Sequence, residues 1–111
     1  MEARLKSGIW VKALIRRCDL AAIGVAVLAR GDSDAGAILL KLNGRDTGCA
    51  VLAQTRKPDG TLVWMRATGA ASVPEAEADA YIERQVKYDP DVWVLEIEDR
   101  RGQYKLDGKV V

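Results

Sequence analysis

Apolar residues recur at two different spacings along the chain. In residues 8–21 (GIWVKALIRRCDLA) they recur at helical spacing, and Lys12 and Arg16 fall together on another face. A strand through residues 9–15 is the alternative, although both parities carry bulky apolar residues there. The pattern favours a first helix, and Ser7 is placed to cap its N-terminus.

A second helical pattern lies later in the chain, and its start is marked more clearly. Residues 72–75 read SVPE, a capping box in which Ser72 and Glu75 would each bond the other's backbone amide. An apolar stripe at three- and four-residue spacing follows. Pro90 ends the pattern, because the residue before a proline is pushed out of the helical region.

The remaining apolar stretches are short and are separated by turn signals that contain glycine. They predict strands at residues 22–30, 37–43, 48–54, 62–68 and 91–99, with a possible short edge strand at 103–107. The order α-β-β-β-β-α-β-(β) predicts one α+β domain over residues 1–111. Its sheet should be a largely antiparallel meander, with the two helices packed on one face.

The central predicted strands are apolar on both faces. Leu39 opposes Leu40, and Val51 opposes Leu52, whereas a sheet with one solvated face should alternate apolar and polar residues. The second face must therefore be covered, either by the other helix or by a second copy of the protein. From this pattern we expect a homodimer that buries sheet surface.

Composition narrows the possible chemistry. The chain is 49% hydrophobic and 30% charged, which is typical of a globular protein, and it has no histidine. That absence excludes a histidine base, a histidine-activated nucleophile and a histidine-ligated metal. Cys18 and Cys49 match no zinc or redox spacing and are expected to be buried thiols. No cofactor is predicted.

Charge and hydropathy also bear on the partners. The first 57 residues carry 10 Lys and Arg against 5 Asp and Glu, and the rest carry 7 against 11. Neither half is basic enough to indicate nucleic-acid binding by itself. The longest apolar run, residues 20–29, is too short to cross a membrane, and the N-terminus lacks the apolar segment of a signal peptide. We therefore expect a cytoplasmic protein without a membrane partner.

One turn between predicted strands carries a possible metal site. Asp32 and Asp34 could hold Mg²⁺ while Lys41 steadies a phosphate, in a helix and strand order that is roughly that of the restriction-nuclease core. That core requires an acid two residues before the lysine, where this chain has Leu39. The competing interpretation is turn chemistry in which both aspartates make Asx turns and Lys41 lies on the surface.

The first helix offers a basic surface. Lys12, Arg16 and Arg17 could contact phosphates. A solvated helix face, or ion pairs with the acidic second helix, explains the same residues without a ligand. Weak nucleic-acid binding through this helix therefore stays an alternative.

A small polar pocket is predicted at two strands, provided that these strands pair. Trp64 and Arg66 share one strand face with Thr68 just beyond, and Glu96 and Glu98 share a face on the last strand. An arginine–carboxylate contact beside an indole could bind a small ligand, while a cross-strand ion pair is the alternative. These five residues are the predicted ligand-binding residues.

Four blocks in order resemble a small alphaproteobacterial family known as domain of unknown function one-four-nine-one. The blocks are RLKSGIWVKALIRR, GDSDAGAILLKLN, WMRATG and EADAYIERQVKYDPDVWVLEIEDRRG, and the resemblance covers about residues 4–107. It implies a short cytoplasmic bacterial protein and assigns no activity, cofactor or catalytic residue.

These observations favour a non-catalytic homodimeric module that binds a protein partner or a small anionic ligand. The main alternative is a metal-dependent phosphodiesterase or nuclease that uses Asp32 and Asp34.

Overall fold

Two helices and six strands form an α+β fold in three layers. A computed structural model describes residues 6–106 and 108–111. In chain order the α-helices and strands are α1 (Ser7–Leu20), β1 (Gly24–Ala29), β2 (Ile38–Asn43), β3 (Cys49–Arg56), β4 (Leu62–Arg66), α2 (Glu75–Tyr88), β5 (Trp93–Glu98) and β6 (Lys109–Val110), and a 3-10 turn at Arg45–Thr47 separates β2 from β3. Within the described residues no helix is long and apolar enough to cross a membrane.

The sheet is mixed, and its strand order is β1-β5-β2-β3-β4-β6. Strands β2, β3 and β4 form the predicted antiparallel meander. Strand β5 returns after α2 and inserts between β1 and β2, antiparallel to β1 and parallel to β2. The α+β prediction is thus confirmed, while the continuous meander is corrected. A parallel neighbour requires a crossover connection, and α2 supplies it.

Helix α1 covers one face of the sheet. Its buried residues Val11, Leu14 and Cys18 recur at three- and four-residue spacing, as an amphipathic helix requires. They pack on alternate residues of the central strands, among them Leu40 and Leu95. The predicted first helix is confirmed, and the strand alternative for this stretch is wrong because the helical stripe buries an entire face.

Helix α2 covers the opposite face. Ala78 and Ile82 pack on Leu39, Val51 and Val94, the other parity of the same strands. The prediction that both helices share one face is therefore wrong. The two-faced apolar pattern has its explanation within one chain, since each face of the sheet carries a helix.

Both helix starts differ from the predicted caps. No side-chain cap is present at either N-terminus, where Lys6 and Pro74 precede the first helical residue. The hydroxyl of Ser7 donates to the carbonyl of Gly36 at 2.6 Å. Glu75 is the first residue of α2, and its carboxylate turns towards the sheet instead of back to Ser72. In each case the side chain that was predicted to cap the helix bonds instead to a residue that is distant in sequence.

The turn at residues 31–36 lies in the connection from β1 to β2. The Asp32 carboxylate accepts the backbone amides of Asp34 and Ala35 at 3.2 and 2.9 Å, as the Asx-turn interpretation expects. The Trp93 indole donates to the Asp32 carbonyl at 2.8 Å. Gly36 lies so close to the carbonyl of Asp91 that a side chain would collide with backbone there. The turn is therefore held from within by the Asp32 carboxylate and from the sheet by the Trp93 indole.

The last strand of the sheet begins later in the sequence than predicted. Residues 103–106 are not in a strand, and Asp107 lies outside the described residues. Strand β6 consists of Lys109 and Val110 and pairs parallel with β4 at the edge of the sheet. A strand this short closes little of that edge.

Candidate functional site

A buried lysine lies between the sheet and α2. Lys41, at the centre of β2, has 3% of its side chain exposed. Its Nζ atom lies 2.7 Å from a carboxylate oxygen of Glu75, 2.7 Å from one of Asp79 and 3.1 Å from one of Glu96. Three carboxylates, two from α2 and one from β5, thus surround one ammonium group. A buried charge requires such oppositely charged neighbours.

Asn43 completes this Lys41 cluster, which consists of Lys41, Asn43, Glu75, Asp79 and Glu96. The Asn43 side-chain amide donates to Glu96 at 2.9 Å and to Glu75 at 3.2 Å. Its side-chain oxygen accepts the backbone amide of Arg45 at 2.9 Å. Strands β2 and β5 are parallel neighbours in which Lys41 lies opposite Glu96. The cluster therefore ties α2 to two adjacent strands.

The electrostatics follow from these contacts. Burial by itself would lower the pKa of Lys41, but hydrogen bonds to Asp79, Glu75 and Glu96 together raise it above its ordinary value. Burial would raise the pKa of Glu96, and the bonds from Asn43 and Lys41 outweigh this effect and hold it below its ordinary value. Both groups are charged near neutral pH.

This arrangement leaves Lys41 with a structural role. An ammonium group has three donors, and the three carboxylates occupy them. With its pKa raised, Lys41 is not poised to act as a base or nucleophile. The expectation that Lys41 lies on the surface is wrong, because α2 covers the middle of β2 on that face.

The predicted metal pair is separated from Lys41. Asp32 and Asp34 lie in the 31–36 turn, where the Asp32 carboxylate is engaged by two backbone amides. Asp34 lies 3.6 Å from the Nζ atom of Lys6. In the part of the chain that the structure describes, no group of three or more His, Cys, Asp or Glu side chains is arranged to hold a metal.

The predicted ligand-binding residues fall in two places. Strands β4 and β5 do not pair, since β2 and β3 lie between them. The condition for one pocket is therefore not met, and the two sets also lie on opposite faces. Trp64 packs in the core beneath α1, whereas Glu96 belongs to the cluster beneath α2.

Each of the remaining predicted residues contacts another group of the protein nearby in space. The Arg66 guanidinium donates to the carbonyl of Gly69 at 3.1 Å, and the Thr68 hydroxyl accepts the Val51 amide at 3.1 Å. Glu98 lies 3.1 Å from both Arg45 and Arg100. The hydrogen bond and charge of Arg45 hold the pKa of Glu98 below its ordinary value.

The predicted basic surface divides into two parts. Lys12, Arg16 and Arg17 are all exposed on α1. Lys12 alone of the three lines a concave surface, the α1–β1 groove, which has a volume of about 350 Å³. Its lining includes Ile9, Lys12, Ile15, Val27, Arg30 and Trp93, with Lys6 and Asp34 at the N-terminal end of α1.

The α1–β1 groove combines exposed apolar surface with positive charge. Ile9 is 54% exposed and Val27 is 46% exposed. Among the described residues, neither Lys12 nor Arg30 has an acidic partner within 4.0 Å. Unpaired cations beside exposed apolar side chains suit a ligand that has both an anionic and an apolar part.

Sequence reasoning missed Arg30 because a β-bulge decides its direction. The register of β1 against β5 shifts between Val27 and Ala29. In a regular strand Val27 and Arg30 would point to opposite faces, but the extra residue brings both to the groove. The alternating pattern of β1 contains no signal for this shift.

The comparisons with known proteins agree with this fold. A family model described as a protein of unknown function, DUF1491, matches residues 5–107. No curated protein matches the chain.

Three solved structures from Caulobacter crescentus and A. tumefaciens are similar to this chain. A crystal structure of a DUF1491 family protein from Caulobacter crescentus CB15 is 39% identical with a TM-score of 0.86, and the match covers 97% of this chain and 100% of that one. An NMR structure of a DUF1491 family protein from the same organism is 38% identical, with a TM-score of 0.84 and 99% of each chain covered. A solution structure of a protein from A. tumefaciens is 31% identical, with a TM-score of 0.73 and 87% of each chain covered. The chain therefore belongs to the DUF1491 family, whose function is unknown.

Proposed function

We propose that the protein is a non-catalytic binding module whose ligand occupies the α1–β1 groove. The ligand, carried by a protein partner or free in solution, presents an anionic group next to an apolar body. The observation that carries this proposal is that Lys12 and Arg30, which have no acidic partner among the described residues, lie beside the exposed side chains of Ile9 and Val27.

The size and shape of the groove support binding. Its volume of about 350 Å³ lies within the usual range for small-molecule sites, at the small end. Its apolar walls come from a helix and a strand, both of which are fixed by the core. A ligand that covers Ile9 and Val27 would remove apolar surface from water, which favours association.

The contacts of the reactive side chains support a non-catalytic role. Lys41 is held by three carboxylates, and the Asp32 carboxylate is held by its own turn. Burial raises the pKa of the thiols of Cys18 and Cys49, which disfavours the nucleophilic thiolate.

A panel of three probes that separate the anionic group from the apolar chain tests the proposal. Octanoate has both the charge and the apolar chain, acetate has only the charge, and 1-octanol has only the chain. We expect octanoate to shift the methyl NMR signals of Ile9, Ile15 and Val27 at concentrations where acetate and octanol do not. Equal shifts from octanol would show that the cations take no part, and shifts confined to the opposite helix would place binding elsewhere.

A homodimer and a cytoplasmic location remain part of the proposal. Helix α2 already covers the second sheet face, so the support for a second copy now comes from β1, an edge strand whose Leu28 is exposed outside the groove. Sedimentation at micromolar concentration should give twice the monomer mass, and a monomer there would contradict the dimer. The free thiols of Cys18 and Cys49 suit a reducing compartment.

A further inference from the structure

We infer that the α1–β1 groove selects amphipathic ligands with a single anionic group, and that Asp34 sets this selectivity. The inference rests on the proposed function of the groove and adds the class of ligand and a residue that discriminates. Asp34 is the acidic side chain among the groove-lining residues. It competes with a ligand for one of the groove's cations.

The competition is visible in the pairing of Lys6. The Asp34 carboxylate lies 3.6 Å from the Lys6 ammonium, and both groups line the same end of the groove. Lys12 and Arg30 make no such pair among the described residues. An incoming anion therefore finds Lys12 and Arg30 available and Lys6 occupied.

The backbone of Asp34 is anchored while its side chain is exposed. The amide of Ser7 donates to the Asp34 carbonyl at 3.4 Å, and the amide of Gly8 donates to the Ser33 carbonyl at 2.8 Å. The Asp34 side chain is 73% exposed. The turn thus keeps a negative charge at the N-terminal end of the groove and leaves the carboxylate free to change direction.

A second cavity gives the Asp34 carboxylate another place to turn. Asp34 also lines a cavity of about 230 Å³ on the other side of the α1 N-terminus, together with Ser7, Gln54 and Thr55. The side chains of Gln54 and Thr55 can donate hydrogen bonds to a carboxylate, whereas the Ser7 hydroxyl already donates to the Gly36 carbonyl. The Asp34 carboxylate can therefore face either Lys6 or these polar groups, and in both positions its charge stays at the N-terminal end of the groove.

The position of Asp34 discriminates against a second negative charge. A ligand whose head group contacts Lys12 and Arg30 extends its other end along the groove. A second anionic group at that end would meet the Asp34 carboxylate, which already occupies the Lys6 ammonium, and would be repelled by it. An uncharged apolar end meets no such repulsion.

Two ligands of equal length test this discrimination. Octanoate and octanedioate have the same carbon chain, and only the second has a carboxylate at both ends. We expect the wild-type protein to bind octanoate about threefold to tenfold more tightly than octanedioate. In Asp34→Asn the affinity for both should rise, and the preference should fall to less than about twofold.

The controls separate a local effect from net charge. Asp46→Asn removes the same charge from an exposed residue that lies outside the groove. It should leave both affinities and their ratio unchanged. Asp34→Ser provides a second neutral variant, and unchanged melting temperatures would show that both Asp34 variants fold.

The outcomes distinguish the inference from the proposed function. If the wild type binds octanoate but Asp34→Asn behaves as Asp46→Asn does, the inference is wrong and the binding site stands. If neither the wild type nor Asp34→Asn binds octanoate, both are wrong. If octanoate binds only to Asp34→Asn, Asp34 blocks the groove in the wild type, and both the proposed function and the inferred selectivity are wrong.

Discussion

Two lysines, one on each side of the sheet, differ in burial and in the number of acidic neighbours. Lys41 is buried beneath α2, and three carboxylates surround its ammonium group. Lys12 is exposed on α1, where it lines an apolar groove without an acidic partner among the described residues. The first arrangement uses all the donors of the lysine within the fold, and the second leaves them open to the ligand that we propose.

The difference separates residues that should determine stability from residues that we propose to bind a ligand. A buried charge is costly unless it is paired, so the Lys41 cluster must be complete for α2 to dock. An exposed cation contributes little to stability, because water and salt screen it. Changes in the Lys41 cluster should therefore alter stability, and changes in the α1–β1 groove should alter binding.

The largest expected effect comes from Lys41→Met. The substitution keeps the apolar stem but leaves three carboxylates that repel one another beside Asn43. We expect the free energy of unfolding in urea to fall by about 3 kcal/mol, at the low end for a broken buried pair because Glu75 and Asp79 are half exposed.

The matched control is Lys12→Met on the other side of the sheet. It should change the free energy of unfolding by less than about 0.5 kcal/mol. A loss below about 1 kcal/mol for Lys41→Met would contradict the comparison, because it would equal the value of a surface ion pair.

Acid should weaken the same cluster. The pKa of Glu96 is lowered in the folded protein, so its contribution to stability is present above its ordinary value of 4.5 and is lost as the pH falls through the folded value. Glu96→Gln should lower the free energy of unfolding at pH 7 by about 1–2 kcal/mol, through loss of its charge-assisted hydrogen bonds.

The pH profile checks the origin of that loss. Urea unfolding from pH 7 to pH 3 should give converging curves for wild type and Glu96→Gln below pH 4.5. The pKa of Lys41 is raised, so its contribution is fully present below its ordinary value of 10.5 and stays constant over this range. Glu98→Gln, on a more exposed carboxylate, should cause a smaller change, and parallel curves for Glu96→Gln would contradict the assignment.

The smallest expected effect is on ligand affinity in the α1–β1 groove. Lys12→Gln or Arg30→Gln should weaken octanoate binding about threefold to tenfold, as measured by NMR titration, with no change in the urea midpoint. Arg16→Gln removes an equal charge from α1 outside the groove and should leave binding unchanged. If all three variants weaken binding equally, the attraction is a general effect of net charge and not a property of the groove.

Local patterns predicted most of the elements. Helical spacing predicted α1 and α2, and alternation with glycine-containing turns predicted β1 to β5 to within a few residues. Asp32 was predicted to make an Asx turn, and its carboxylate does so. These features depend on residues that are close in sequence, so local sequence patterns are enough to predict them.

The site depended on contacts that are distant in sequence. Lys41 meets Glu75 and Asp79 more than 30 residues later, and Glu96 arrives only because β5 inserts beside β2. The predicted pocket at Trp64 and Glu96 failed to form for the same reason, since strand order cannot be read from alternation.

The sequence by itself determined the elements and the need to cover both faces of the sheet, because apolar periodicity reflects burial whatever the partner is. The tertiary structure decided that α2, and not a second copy, covers the second face of the sheet. It also decided that Lys41 is buried and Lys12 is exposed. Both lysines lie in similar apolar and charged surroundings in sequence, and only the packing of elements determines which one meets acids and which one meets water.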